Sequence, residues 1–215
     1  MSKKVFAIIL IVCLAFGVAF AAKKGDLKVG AQLGYGGENI SVKYDSDNYL
    51  KVRNGGFYFV ADGQYYFADA LSAKVEMGIK TMGEAKSTLC LLGVSKTGTA
   101  SEASPVHFSI YAGAQYDIEL SKEMSLGLGA GWDMLIGKES NADDAKTNAA
   151  MGLGFEVVGS YALQKNLELN LGGKFGWHFV NTDEDIAKAY GKADSNGWKT
   201  SSTAFQIFAG ATYAF

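Results

Sequence analysis

Past residue 26 the chain alternates between apolar residues and polar or small ones with a period of two. The alternation falls in blocks at 27–35, 57–67, 71–79, 108–118, 126–136, 151–161, 167–179 and 205–215. A period of two puts successive side chains on opposite faces of an extended strand. The first block sets Leu27, Val29, Ala31, Leu33 and Tyr35 against Lys28, Gly30, Gln32 and Gly34. The last sets Phe205, Ile207, Ala209, Ala211, Tyr213 and Phe215 against Gln206, Phe208, Gly210 and Thr212. The blocks number eight, and the links between them alternate in length. Residues 68–70, 120–125 and 162–166 are short links; 36–56, 82–106, 137–150 and 180–202 are long and polar. Short turns on one side and long loops on the other are the pattern of an up-and-down barrel that crosses a membrane. A strand of about ten residues, tilted by roughly 45°, spans the apolar layer. An alternative in which the third strand runs on past Met82 towards Leu92 stays open.

A soluble barrel would turn its apolar face inward and coat the other face with charge. Here the other face is Ser, Gly, Tyr and Gln with scattered charges, which suits a crowded interior where a glycine makes room for a long neighbour. The chain has 27 Gly and only one Pro, a balance that favours packed strands and tight turns over a disordered tract. Aromatics sort into two groups. Tyr65, Phe67, Tyr116, Tyr161, Tyr213 and Phe215 fall near the short-turn ends, and Tyr35, Phe57, Phe59, Trp177, Phe179 and Phe205 near the loop ends. Two outward belts of this kind mark the two interfaces of a bilayer.

The first 21 residues read as a signal peptide: Lys3 and Lys4, then an apolar run over 5–20, then Ala19-Phe20-Ala21 as the cleavage site. The run is short for a membrane-spanning anchor, and Lys23-Lys24 follow at once. The expected domains are therefore a leader at 1–21 and a barrel at 22–215. Val12 before Cys13 is too large for a lipid-attachment signal. With Cys13 in the leader, Cys90 stands alone and no structural disulfide is expected. A net charge of −2 gives no basic field for nucleic acid.

The inward face is expected to hold Lys28, Asp62, Lys74, Glu76, Lys80, Asp117, Glu119, Asp133, Glu156, Glu168 and Lys174. An eight-stranded interior is just wide enough for side chains to fill. Unpaired charges there are costly, so an ion-pair and hydrogen-bond network that plugs the lumen is expected. Adjacent strands bring Asp62 within reach of Lys74, Lys80 within reach of an acid on the second or fourth block, and Glu156 within reach of Lys174. Acids outnumber bases in this set, so some must be hydrated, protonated or bound to a cation.

No catalytic, cofactor or metal motif survives inspection. Two histidines and one cysteine beyond the leader make no zinc set. His107-Phe108-Ser109, with Glu119 or Glu123 downstream, has the residue types of a lipid A deacylase, but Ile110 follows where that family has Asn. His107 also faces inward in the expected register, away from lipid. His178 reads as an ordinary polar residue of the seventh block.

With Tyr213, Ala211, Ala209 and Ile207 stepping back by two, terminal Phe215 resembles the C-terminal signal read by the outer-membrane assembly machinery. With its leader and eight strands, the chain resembles the small outer-membrane barrels of the OmpA-transmembrane and OmpX type over nearly all of residues 27–215. The resemblance implies an all-β fold: an eight-stranded antiparallel up-and-down transmembrane β-barrel in a bacterial outer membrane. It implies outer-membrane lipid, lipopolysaccharide and the assembly machinery as partners, with an extracellular ligand or host protein at the loops. The function expected is a non-enzymatic barrel with a filled lumen, serving envelope integrity or surface recognition and adhesion. A narrow cation-preferring, porin-like channel is the alternative, and a lipid-modifying enzyme ranks third.

Overall fold

In the computed structural model the described residues are 24–43, 46–81, 83, 85–100, 106–138, 147–181 and 199–215. The expected leader at 1–21 lies outside them, as do residues 182–198 of the fourth long loop.

Ten strands occupy the described residues: β1 (Leu27–Lys43), β2 (Tyr49–Ala68), β3 (Leu71–Thr81), β4 (Ala85–Leu91), β5 (Val94–Ala100), β6 (Val106–Glu119), β7 (Met124–Lys138), β8 (Thr147–Gln164), β9 (Leu167–Asn181) and β10 (Lys199–Ala214). Eight of them close a ring in the order β1, β2, β3, β6, β7, β8, β9, β10, with β10 paired back onto β1. Every pairing in the ring is antiparallel. Closure leaves no open edge in the ring, so each strand meets its backbone hydrogen-bonding needs without water, as the interior of a bilayer demands.

The faces are those of a membrane barrel. Leu33 and Met77 are each 62% exposed and Ile207 65%, while Lys80 is fully buried and Asp133 only 1% exposed. In water this arrangement would leave a continuous apolar surface unburied; facing lipid, the same surface is satisfied. Both aromatic groups point outward. At the loop end Tyr35 meets Phe57 edge-on at 5.4 Å and Trp132 meets Phe179 at 5.7 Å. At the turn end Tyr213 meets Phe215 at 5.0 Å.

All four expected long loops differ from the sequence reading, the fourth (180–202) in that β9 reaches Asn181 and β10 begins at Lys199. Over residues 36–56, where the sequence predicts a loop, β1 runs to Lys43 and β2 begins at Tyr49, with register kept from Leu27↔Tyr65 to Lys43↔Tyr49. Gly36 and Gly37 resemble a turn in sequence, yet both lie within the strand, where Gly36 faces a crowded interior: a Cβ there would meet the Phe205 carbonyl at 2.0 Å. Residues 82–106 are expected as a loop, with a third strand running on past Met82 towards Leu92 as the alternative. They hold the β4–β5 hairpin, which lies where β3 would continue; β4 pairs with the upper part of β2, from Arg53↔Lys86 to Tyr49↔Cys90. Leu92 and Gly93, both with positive φ (53° and 79°), make its two-residue turn. In the third loop, read over 137–150, the strands reach Lys138 and restart at Thr147. The short turns fall where the sequence puts them, Ala70 taking a positive φ of 61° between β2 and β3.

Candidate functional site: the lumenal network

Inward-facing residues come from every strand of the ring, and their polar tips meet on the barrel axis. The central feature is a relay of opposite charges. Lys74 Nζ, from β3, lies 2.6 Å from Glu156 Oε1 on β8 and 2.9 Å from Glu76 Oε1 on its own strand. Lys174 Nζ, from β9, lies 2.8 Å from Glu76 Oε2 and 3.4 Å from Asp133 Oδ1 on β7. The relay continues through His178, whose Nε2 is 3.0 Å from Asp133 Oδ2 and whose Nδ1 is 3.4 Å from Ser202 Oγ on β10. Ser202 donates to Glu38 Oε1 at 3.0 Å, and His107 Nδ1 stands 3.8 Å from the other oxygen of Glu38. Buried charges are costly unless paired and hydrogen-bonded, and each ion in the middle of this relay has partners on both sides.

Below it a layer held mainly by side-chain amides and hydroxyls fills the half nearer the short turns. Gln32 donates to Asp62 Oδ1 at 3.1 Å, Gln64 to Ser72 Oγ at 2.7 Å and Gln115 to Asp117 Oδ1 at 2.7 Å. Tyr66 donates to the other oxygen of Asp117, and Asn170 to Thr212. Lys28 closes this end on Glu168 at 2.7 Å, with its ammonium 5.3 Å from the Tyr66 ring. The void left among these side chains is about 10 Å³, room for one water at most.

Glycines set the shape of the filling. A Cβ on Gly176 would lie 2.5 Å from Asp133 Oδ2, and one on Gly172 would lie 2.6 Å from the Phe208 ring. Each of these glycines vacates the space that a long neighbour takes up.

Of the inward residues expected from sequence, the structure brings Lys74, Glu76, Asp133, Glu156 and Lys174 into the relay and Lys28, Asp62, Asp117 and Glu168 into the lower layer. Glu119 is a correction: it is exposed at the last position of β6, by the rim. The expected partnerships also differ. Glu156 and Lys174 are register neighbours, yet Glu156 bonds Lys74 and Lys174 bonds Glu76. The accepting bond of Asp62 comes from Gln32 rather than Lys74. Lys80 is buried with its ammonium 5.0 Å from the Tyr58 ring and without a hydrogen-bond partner among the described residues. A lysine stem is long enough to cross so narrow a barrel, so charge pairs form across the lumen as well as along the wall.

Three members of the relay are not legible as such in the sequence: Glu38, His178 and Ser202, the last falling at the end of the expected fourth loop. Glu38 was hidden in the supposed first loop, although the alternation of Gly34, Gly36 and Glu38 continues unbroken. His178, an ordinary polar residue in the sequence, links Asp133 to Ser202. Ser202, His178 and Asp133 follow the hydroxyl–imidazole–carboxylate order of a nucleophilic triad. All three are 1% exposed, and the Ser202 proton goes to Glu38, so the hydroxyl is neither free nor reachable by a substrate. His107 and Ser109 share the inward face of β6, with Glu119 at the far end of the same strand and Glu123 bonded to Ser121. Tyr213 and Phe215 point outward at the turn end, where the Phe215 amide donates to the Leu27 carbonyl at 2.9 Å.

A transmembrane β-barrel with an apolar exterior, two aromatic belts and a polar filling is the class of protein that these features define. Solved structures share it. The chain is similar to Neisserial surface protein A, with a TM-score of 0.56 and 17% identity over 89% of this chain and 100% of that one. It is also similar to the outer membrane protein OprG from Pseudomonas aeruginosa, with a TM-score of 0.54 and 13% identity over 91% of this chain and 98% of that one. No family model and no curated protein matches the sequence. The fold is that of the small eight-stranded outer-membrane barrels of the OmpA and OmpX type.

Proposed function

We propose that the protein is a non-enzymatic outer-membrane barrel whose lumen is a solid polar core and whose work is done by the hairpins and loops above the membrane, in surface recognition, adhesion or support of the envelope. The observation that carries this reading is the unbroken relay from Glu156 through Lys74, Glu76, Lys174, Asp133 and His178 to Ser202 and Glu38. An ion following the axis would have to part several buried ion pairs, each costly to break. The sealed position of Ser202 and His178 favours a structural role for them over a catalytic one. The β1–β2 extension and the β4–β5 hairpin carry paired β-structure beyond the apolar wall, a suitable base for recognition.

Single-channel recording on the protein inserted in a planar bilayer tests the reading. Stable insertion without conductance is the expected result. Discrete cation-selective steps, altered by Glu156→Gln, would replace it with a narrow channel.

A further inference from the structure

Above the loop-end aromatic belt the outer face of the wall changes character. Arg53 on β2 is flanked in register by Lys86 on β4 and by Asn39 on β1, and Asn39 in turn by Thr203 on β10. The next row outward holds Lys51 between Thr88 and Ser41, with Ser201 beyond. Adjacent strands are about 5 Å apart and alternate residues about 7 Å, so Lys51, Arg53 and Lys86 stand within one small triangle. They border an open depression of about 680 Å³. At its base Tyr35 lies across Gly55, its hydroxyl 2.6 Å from where a Cβ would stand, and the Phe205 ring lies across Gly37.

Like charges directly opposite each other across a strand pair repel. Arg53 and Lys86 are such a pair, both exposed, and neither has an ion-pair partner among the described residues. On this face of β1, β2, β4 and β10 the described residues include no carboxylate, while Lys43 adds a further cation. The face looks sideways along the membrane plane, and it continues upward from the lipid-facing aromatics Tyr35, Phe57 and Phe205. A soluble ligand arriving from outside meets the hairpin tips first. The anions that lie level with this face are the head groups of the outer leaflet.

We propose that the depression bordered by Lys51, Arg53 and Lys86 is a binding site for the phosphate of an outer-leaflet glycolipid of the lipid A class. Its acyl chains lie along the apolar wall below, against Tyr35, Phe57 and Phe205. The guanidinium of Arg53 presents a fork that matches two phosphate oxygens, and the two ammonium groups add point charges around it. Asn39, Ser201 and Thr203 are placed to bond sugar hydroxyls. An occupied site removes the repulsion between Arg53 and Lys86 and fixes the barrel's depth and lateral neighbours in the leaflet.

The test uses the protein extracted from outer membranes and freed of lipid in a zwitterionic detergent, titrated with bisphosphorylated lipid A in the same micelles. Binding should be saturable. The Lys51→Gln/Arg53→Gln/Lys86→Gln variant should bind about a hundredfold more weakly, since each basic group near an anionic surface is worth about fivefold. Its heat-shifted mobility on gels should stay that of the folded barrel. Lys86→Gln alone should lose about fivefold, which keeps the test decisive if the triple variant assembles poorly. Lys122→Gln/Lys165→Gln, at the opposite end, should bind normally. Lipid A stripped of its phosphates should bind the unaltered protein weakly. Equal binding by the triple variant, or indifference to the phosphates, would overturn the proposal. Displacement of lipid A by inorganic phosphate at matching concentration would do so too, because it would mark a site for free anions.

Discussion

Lys74 and Glu156 bond each other at 2.6 Å from β3 and β8, strands that are not neighbours in the ring. The pair therefore ties opposite parts of the wall, with Glu76 sharing the same ammonium at 2.9 Å. Both side chains are almost fully shielded, so little solvent screening weakens the attraction. Lys74→Met should strand Glu156 without its partner and lower stability by about 3–5 kcal/mol. The urea midpoint of the folded barrel in detergent micelles reads this directly. Adding Glu156→Leu should recover part of the loss, because two apolar groups replace a pair rather than break one. Additive losses would mean that the two side chains do not act together.

Lys80 offers the contrast. It is as buried as Lys74 but makes no hydrogen bond among the described residues; its ammonium rests on the Tyr58 ring with Glu38 and Asp133 as the acids that face it. Lys80→Met deletes a desolvated charge and breaks no hydrogen bond, at the expense of a favourable field on two acids. The loss should stay below about 2 kcal/mol, well short of that for Lys74→Met. An equal or larger loss by the same urea measurement would show a stronger partner for the ammonium than the aromatic ring.

The contrast between these lysines also marks how far the sequence could be read. Strand alternation put Lys74, Lys80, Glu156 and Lys174 on the inward face because the period of two depends only on the backbone. Which charge meets which depends on where long side chains end after crossing the lumen, and neighbouring strands were a poor guide to that. The ring was legible because lipid-facing strands must be apolar on one side. Above the membrane that demand disappears: Asn39, Ser41, Lys51 and Arg53 are polar on the outer face as well, so β1 and β2 looked like loop beyond Tyr35. Glu38 was lost for the same reason. The Lys51, Arg53 and Lys86 cluster was invisible because it needs the pairing of β4 with β2, which brings together residues far apart in the chain.

Gly176 leaves the space that the carboxylate of Asp133 occupies between His178 and Lys174. Gly176→Ala should push that carboxylate off both partners and lower stability by about 1–3 kcal/mol. Gly98 on β5 is the control: a Cβ there would come no nearer than 3.8 Å to the Ser87 hydroxyl. Gly98→Ala should change stability by less than about 0.5 kcal/mol. Equal effects at the two positions would mean that glycine acts here through backbone freedom and not by making room in the lumen.

The β4–β5 hairpin should be separable from the barrel. Below it β3 pairs with β6 from Leu71↔Tyr116 to Thr81↔Val106, so the ring is already closed at that joint without the hairpin. The upper part of β2 would lose β4 but keep β1, its partner on the other side, through Lys43↔Tyr49. Replacing residues 85–100 with a short Gly/Ser link exchanges one loop for a shorter one, which changes closure entropy by about 0.6 kcal/mol per halving of length. The variant should insert, keep the heat-shifted gel mobility of a closed barrel and hold its urea midpoint near that of the unaltered protein. The exposed turn at Leu92 and Val94 puts apolar side chains at the tip of the hairpin, 87% and 75% exposed, where they contribute nothing to the ring. Attachment of cells that carry the protein to a host surface should therefore fall with this deletion while envelope insertion does not. A deletion that abolishes folding would instead show that the pairing of β2 with β4 is needed to close the ring, and the recognition surface would then have to be sought on the other loops.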